Sequence, residues 1–165
     1  MLTRTSVPWL LMLLFITGVV VLGLSEKPAS ADFSDESISD LARYVQSGNA
    51  LSLRLMALEE LKNKTGTTVD DELLAIAKGS DFRMAVYATT ALGKRKTSTS
   101  KAKLKMVLEN SKLKKDVRMA AMTAIAVHFK TSIDLTYLWS KASSDQELTA
   151  RYYWLKQHVY NMGGK

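Results

Sequence analysis

The chain has 165 residues, no cysteine and a formal net charge of +7. This length provides for one domain with a real hydrophobic core. The lack of cysteine excludes disulfide staples and the acylated cysteine of a lipoprotein. Stability must therefore come from packing. A domain of this kind is more typical of a protein of the bacterial periplasm or exterior than of a disulfide-rich ectodomain.

Residues 1–31 contain the three parts of a secretory signal sequence. Arg4 precedes an uncharged apolar stretch at residues 9–24, and small residues ending in Ala31 fit a peptidase cleft. We expect cleavage after Ala31 and a periplasmic or secreted domain at residues 32–165. The alternative is an uncleaved membrane anchor, although the stretch is shorter than the ~20 residues of a usual spanning helix. Because Arg4 stays on the cytoplasmic side of the membrane, either outcome leaves the remaining chain outside the cytoplasm.

The chain from residue 32 onward reads as a series of short helices. It has no proline, and its apolar residues recur at helical spacing without the alternation of strands. The pattern predicts helices in antiparallel pairs over residues 34–46, 50–62, 70–78, 81–92, 99–110, 115–129, 133–141 and 145–161. Gly48, Gly79 and Gly93 occupy predicted helix C-termini, where a left-handed residue is favoured. Ser80-Asp81 and Ser144-Asp145 supply N-cap oxygens.

An internal repeat relates two of the predicted helices. Residues 81–85 (Asp-Phe-Arg-Met-Ala) are echoed 35 positions later by residues 116–120 (Asp-Val-Arg-Met-Ala). Periods of about 30 to 45 residues with two helices each are typical of α-solenoids. The sequence therefore predicts an all-α fold, a right-handed α-solenoid of about four antiparallel helix pairs.

Three arginines recur near the starts of the predicted helices. Arg54, Arg83 and Arg118 would lie above one another in such a stack. We expect them to pair with Asp81 or Asp116 of adjacent repeats. This repeat logic favours a structural ladder over a ligand-binding role.

The two repeat copies resemble HEAT-like repeats of the short bacterial PBS-lyase type. The first helix of that family has Asp, an apolar residue, Arg, several alanines and then Ala-Leu-Gly. The matching residues here are Asp81, Phe82, Arg83, Ala85, Ala88 and residues 91–93. The resemblance covers most of the chain from Ala50 onward and implies a helical-repeat fold. It also implies a protein-interaction scaffold, although a few relatives bind nucleic acid or handle bilins.

Basic charge is concentrated in residues 94–118. Of the 23 basic and 16 acidic residues, two and one lie in residues 1–31, which leaves 21 and 15 and a net charge of +6. On a predicted helix, Lys101, Lys105 and Lys112 share one polar face. Leu104, Val107 and Leu108 turn inward. The candidate partner-binding residues in this segment are Lys94, Arg95, Lys96, Lys101, Lys105, Lys112 and Lys115.

Two interpretations of this basic segment remain open. It is either a solvated face that keeps the protein soluble, or a contact surface for a polyanion. An acidic protein, anionic lipid headgroups or an envelope polymer would each fit the second interpretation. Export and the scarcity of interleaved aromatics disfavour nucleic acid.

Aromatic residues gather near the C-terminus. They are Tyr137, Trp139, Tyr152, Tyr153, Trp154 and Tyr160. Such a cluster is typical of a layer that closes the core of the last repeat. Adjacent helix positions differ by ~100°, so residues 152–154 cannot all face inward. We therefore include Tyr153 and Trp154 among the candidate partner-binding residues.

The sequence contains no pattern typical of an enzyme. His128 lies on an apolar helix face, and His158 has no carboxylate or second histidine at metal-ligand spacing. No nucleophile elbow or phosphate loop is present. We therefore expect no catalytic, cofactor or metal site, and a non-enzymatic exported scaffold or adaptor that recognises an acidic partner. The alternative is a membrane-associated envelope protein, held by residues 9–24 or by lysine contacts to anionic lipid.

Overall fold

The computed structural model describes residues 32–161, and the regular structure in that range is entirely helical. The all-α class is therefore confirmed, while the predicted signal sequence at residues 1–31 lies outside the described residues. A π-helical turn, Lys156–Tyr160, continues directly from the last α-helix. In chain order the α-helices of this range are α1 Ile38–Gln46, α2 Leu51–Asn63, α3 Thr67–Ala77, α4 Phe82–Arg95, α5 Ser98–Glu109, α6 Lys115–His128, α7 Ser132–Ala142 and α8 Gln146–Leu155.

Packing divides the helices into two sets that alternate along the chain. Helices α2, α4, α6 and α8 contact one another in succession, and α1, α3 and α5 do likewise. Chain neighbours also pack together, most extensively α1 on α2, α3 on α4 and α5 on α6. Apolar side chains fill the space between the sets, each contributing roughly 1.5–3 kcal/mol on burial. The largest fully buried ones include Leu41, Leu61, Leu73, Leu92, Leu104, Leu108, Met122, Ile125, Leu138 and Leu148.

Helix starts follow the predicted capping residues closely. Asp81 Oδ1 accepts hydrogen bonds from the backbone N–H groups of Arg83 and Met84, at 3.0 and 3.3 Å. Asp145 caps α8 in the same way, with both bonds between 3.1 and 3.3 Å. Helix α3 starts earlier than predicted, because Gly66 at φ 101° turns the chain directly into it.

The left-handed conformation predicted for three glycines is wrong at each of them, although Gly48 and Gly79 do follow the ends of α1 and α3. Within residues 32–161, Gly66 is the one glycine with positive φ, so Gly48, Gly79 and Gly93 are not left-handed caps. Lys96, at φ 55°, ends α4 instead, and the helix therefore runs through Gly93 to Arg95.

Gly93 has a different role, which is to permit close approach of α4 and α6. A Cβ atom at Gly93 would lie 2.7 Å from the Ala124 Cβ and 2.8 Å from the His128 Cδ2. Both distances are shorter than real Cβ contacts. The missing side chain therefore sets the separation of the two helices where they cross.

The burial patterns of α4 and α6 coincide at an offset of 33 residues. They do not coincide at the offset of 35 residues that the sequence repeat shows. The residues that precede the two helices are 33 positions apart (114 − 81). At this offset Leu92 corresponds to Ile125, and both are fully buried; at 35 it would correspond to the exposed Val127. Arg83 is the second residue of its helix, whereas Arg118 is the fourth. The two arginines are therefore not at equivalent positions.

The predicted ladder is confirmed at Arg54 alone, because Arg118 pairs with Asp145 and not with Asp81 or Asp116. Arg54 pairs with Asp81 Oδ2 at 2.8 Å, and Arg118 reaches Asp145 Oδ2 at 3.4 Å. Each also donates its Nε–H to a carbonyl near the end of the preceding helix. The hydrogen bond from Arg54 lowers the pKa of Asp81, and the backbone N–H bonds of the cap add to this effect. Arg83 is exposed and forms no ion pair with any residue in the range 32–161.

Candidate partner-binding surface

Three lysines of the candidate set are exposed and form no ion pair within the described part of the chain. Lys94 lies in the last turn of α4, Lys96 follows that helix, and Lys112 lies in the loop before α6. Lys112 therefore does not share a helix face with Lys101 and Lys105, contrary to the prediction. Lys94, Lys96 and Lys112 carry the uncompensated charge of the set.

The side chain of Arg95 is only 9 % exposed and does not belong to the exposed basic surface. Its guanidinium pairs with Asp70, which is 1 % exposed, and donates to the carbonyl groups of Lys62, Lys64 and Gly66 at 2.7–3.0 Å. Four acceptors surround one cation, so its desolvation is compensated. Arg95 ties the end of α4 to the loop between α2 and α3.

Lys101 and Lys105 point from α5 towards α7. The Lys101 Nζ lies 2.8 Å from Asp134 Oδ2, and the Lys105 Nζ lies 4.5 Å from the ring centroid of Tyr137. Burial would raise the pKa of Asp134, but hydrogen bonds from Lys101 and Thr131 outweigh it and lower the pKa. Both lysines therefore join neighbouring helices within the protein.

Lys115 is exposed, but it is paired. Its Nζ lies 2.9 Å from Glu147 Oε1, and this hydrogen bond raises the pKa of Lys115. The pair connects the first turns of α6 and α8. An exposed pair of this kind contributes little to stability.

Tyr153 and Trp154 are both exposed, and the side chain of Tyr152 beside them is buried. The prediction that these three aromatics cannot all face inward is therefore confirmed. Tyr153 contacts Trp139, with ring centroids 5.7 Å apart. Trp154 instead stacks on His158 at 4.6 Å. The two candidate aromatics belong to different contacts and not to one patch.

An open groove lies across α4, α6 and α8. It encloses about 490 Å³, a volume within the usual range for ligand sites. Most of its lining comes from α6, and the side chains there are mostly small or apolar. The lining residues are Thr90, Asp116, Met119, Ala120, Thr123, Ala124, Val127, His128 and Arg151.

Arg151 is the cation of this groove, and two neighbours hold it in place. Its Nε–H donates to Thr123 Oγ1 at 3.0 Å, and its guanidinium carbon lies 4.7 Å from the ring centroid of Trp154. The Thr123 hydroxyl in turn donates to the Met119 carbonyl. Within residues 32–161 the two terminal amino groups of Arg151 have no hydrogen-bond acceptor. Arg151 therefore offers two fixed donors to the groove.

His128 lies at the end of the groove near Lys94 and Lys96. Burial lowers the pKa of His128, and the positive charges of the two lysines lower it further. The imidazole is therefore neutral at pH 7. This end of the groove carries a positive field and no carboxylate in its lining.

A second groove, of about 170 Å³, lies between α2 and α4. Tyr87, Thr90 and Lys94 line it from α4, and Thr90 also lines the larger groove. The two grooves therefore adjoin at Thr90 on one surface of the α2, α4, α6 and α8 set. We call this surface the even-helix face.

Sequence reasoning identified Lys94 and Trp154 beside the larger groove but missed Arg151 and Thr123. The available signal was the run of small residues at 120, 121, 124 and 126, a pattern that favours close helix packing. Ala121 and Ala126 are fully buried, as such packing requires. Ala120, by contrast, lines the groove, because its small side chain leaves space there.

Comparisons with protein-family models, curated proteins and solved structures gave no match to this chain. No cluster of three or more histidine or carboxylate side chains suited to a metal ion occurs within residues 32–161. No helix in that range is both long and apolar enough to cross a bilayer.

Proposed function

We propose that this chain is an exported, non-enzymatic adaptor that binds an acidic protein partner on its even-helix face. The observation that carries the proposal is the open groove across α4, α6 and α8, with unpaired lysines beside it. Grooves of this size with an apolar floor and few polar groups are typical binding sites. The proposed location outside the cytoplasm rests on the signal-like residues 1–31.

Uncompensated charge near the groove supports an acidic partner. Lys94 and Lys96 act on His128 at one end of α6. At the other end, the Lys114 Nζ lies 4.7 Å from the ring centroid of Phe82 and pairs with no carboxylate among residues 32–161. An acidic partner would be attracted to both ends, and this attraction would weaken as salt screens it.

The alternation of helix sets supports a HEAT-like α-solenoid as the finer description of the fold. In such a stack each helix contacts its chain neighbour and the matching helix of the next pair. Contacts among α2, α4, α6 and α8 follow this arrangement. Four antiparallel pairs with a right-handed superhelix remain our proposal, and the even-helix face would then be one continuous side of the stack.

Charge reversal tests the adaptor function. The partner is first captured from the native envelope, then purified and titrated against the full chain by calorimetry. We expect K94E/K96E to weaken the affinity by at least tenfold and to flatten its salt dependence. The control is K78E/K156E, which changes the net charge equally at two exposed lysines that line neither groove. Equal affinities for both double variants would refute the charge-based contact.

Membrane association is the alternative, and the exposed lysines 94, 96 and 112 favour it specifically. Each lysine near an anionic surface contributes about 1 kcal/mol. Sedimentation with vesicles containing phosphatidylglycerol, compared with phosphatidylcholine vesicles, tests it. Binding that needs the anionic lipid and disappears at high salt would support lysine contacts. Binding that depends neither on the anionic lipid nor on the salt concentration would indicate the anchor at residues 9–24. Mass spectrometry of the exported chain shows whether that segment is retained.

A further inference from the structure

The larger groove combines an apolar floor with one fixed arginine, and this combination specifies a ligand. We propose that it binds a short peptide segment of the partner, in which a carboxylate pairs with Arg151 and a neighbouring apolar side chain lies on α6. This inference rests on the proposed adaptor function and names the segment that the adaptor recognises.

Arg151 supplies the recognition of the carboxylate. Its Nε–H is already used by Thr123, and its flat guanidinium packs over the Trp154 ring. The edge that carries the two terminal amino groups remains without an acceptor among residues 32–161. A carboxylate fits such an edge with two parallel hydrogen bonds, and a preorganised guanidinium loses little conformational entropy on binding.

The floor of the groove supplies the apolar contact. Met119, Ala120, Ala124 and Val127 lie along α6, and Val127 keeps 46 % of its surface exposed. Exposed apolar surface in a concave site favours association because binding removes it from water. Small side chains at 120 and 124 leave space for one branched or aromatic side chain of the peptide.

Charges along α6 set the direction of the peptide. Asp116, in the first turn of the helix, lies seven residues before Thr123, which corresponds to about 10 Å along the axis. Its carboxylate offsets part of the positive charge of Lys114, so this end attracts a second acidic group less strongly than the opposite end does. The opposite end, near His128, receives the field of Lys94 and Lys96. The acidic end of the peptide therefore points towards Arg151 and the end of α6.

The extent of the site favours a peptide over a compact small molecule. The smaller groove adjoins the larger one at Thr90 and continues across α4 to α2. Tyr87, 45 % exposed, provides a further aromatic contact there. Several successive side chains of one peptide segment can use this length, whereas a single small carboxylic acid would contact only the part around Arg151.

Fluorescence polarisation with two labelled probes tests the proposal on the purified full chain. The first probe is a Leu-Val-Leu-Asp-Glu-Gly peptide, and the second replaces its acidic residues with Asn and Gln. We expect the acidic probe to bind at least tenfold more tightly than the amide probe. Arg151→Gln should remove this preference while it leaves the weak binding of the amide probe unchanged. Arg83→Gln, at an exposed arginine outside the groove, is the matched control and should change neither.

Two more variants keep the outcome clear if one of them folds poorly. Ala120→Trp fills the groove and should abolish binding of both probes. Thr123→Val removes only the acceptor that positions Arg151 and should reduce the acidic preference by several fold. Circular dichroism verifies that each variant retains its helices. A preference for the acidic probe that survives both Arg151→Gln and Ala120→Trp would overturn the proposal.

Other occupants give distinguishable results, each of which would also overturn it. Decanoate that binds with the same dependence on Arg151, while neither peptide binds, would assign the groove to a small amphiphilic acid. Self-association that Ala120→Trp abolishes, without peptide binding, would assign it to a second copy of the chain. Loss of envelope-partner binding in K94E/K96E but not in Arg151→Gln or Ala120→Trp would leave the adaptor function standing and refute the groove as its contact.

Discussion

Replacing Gly93 with alanine tests how closely α4 and α6 pack. Helix propensity alone predicts that the alanine stabilises a helix interior by about 1 kcal/mol. The new Cβ, however, would lie 2.7 Å from the Ala124 Cβ, where ordinary contact begins at 3.4 Å. Ala124 has no rotamer to change, so the helix backbones must separate by about 0.7 Å (3.4 − 2.7). The nearby His128 ring adds a second contact that is too short.

Overpacking of this kind costs about 3 kcal/mol at its upper range, which leaves a net loss of about 2 kcal/mol after the propensity gain. For a domain of this size the loss corresponds to a fall in Tm of roughly 6–10 °C. Thermal and urea unfolding followed by circular dichroism measure it. Gly48→Ala is the control, because its Cβ would meet no atom within 4 Å. A Gly93→Ala variant as stable as the parent chain would refute the close-approach argument.

Three further predictions concern charged groups. Asp70→Ala should lower the free energy of unfolding by about 3–5 kcal/mol, because Arg95 then stays buried without its carboxylate; urea unfolding measures this. Arg118→Ala should destabilise the fold by about 1–2 kcal/mol, since it breaks contacts to two helices, whereas Arg83→Ala should stay within about 0.5 kcal/mol in the same assay. The pKa of His128 is lowered in the folded chain, so on acidification the unfolded chain binds a proton at a higher pH than the folded chain does. The contribution of the neutral imidazole to stability is therefore complete above pH ~6.5 and decreases below that pH. Comparison of urea midpoints between pH 8 and pH 5 for the parent and His128→Gln should show a smaller decrease in the variant, and an equal decrease would contradict this assignment.

Much of the fold follows from local rules that act within one helix. The apolar spacing in α5 predicts that Leu104, Val107 and Leu108 face inward, and all three are fully buried. The caps at Asp81 and Asp145 were also predictable, because a side-chain oxygen bonds the N–H groups of the next few residues whatever packs above them. These features need no knowledge of the neighbouring helix.

The errors concern features that depend on two helices at once. Gly93 resembles a helix terminus in sequence, and only its crossing with α6 explains a glycine inside α4. Arg95 stands between two exposed lysines, so its burial against Asp70, 25 positions away, has no local signal. The groove depends on the same long-range register, because Arg151 and Thr90 meet α6 from two other helices. Spacing along one helix cannot place these residues together.

Asp81 and Asp145 each perform two tasks with separate oxygen atoms. In each, Oδ1 caps the helix that the residue precedes, and Oδ2 accepts the arginine of the preceding helix in the even-helix set. The start of one helix is therefore complete only when its neighbour is already in place. Local nucleation and long-range assembly are thermodynamically coupled at these residues. Partial unfolding of one helix should consequently spread to its neighbour, and the domain should unfold in larger cooperative units than contacts between neighbouring helices alone would produce.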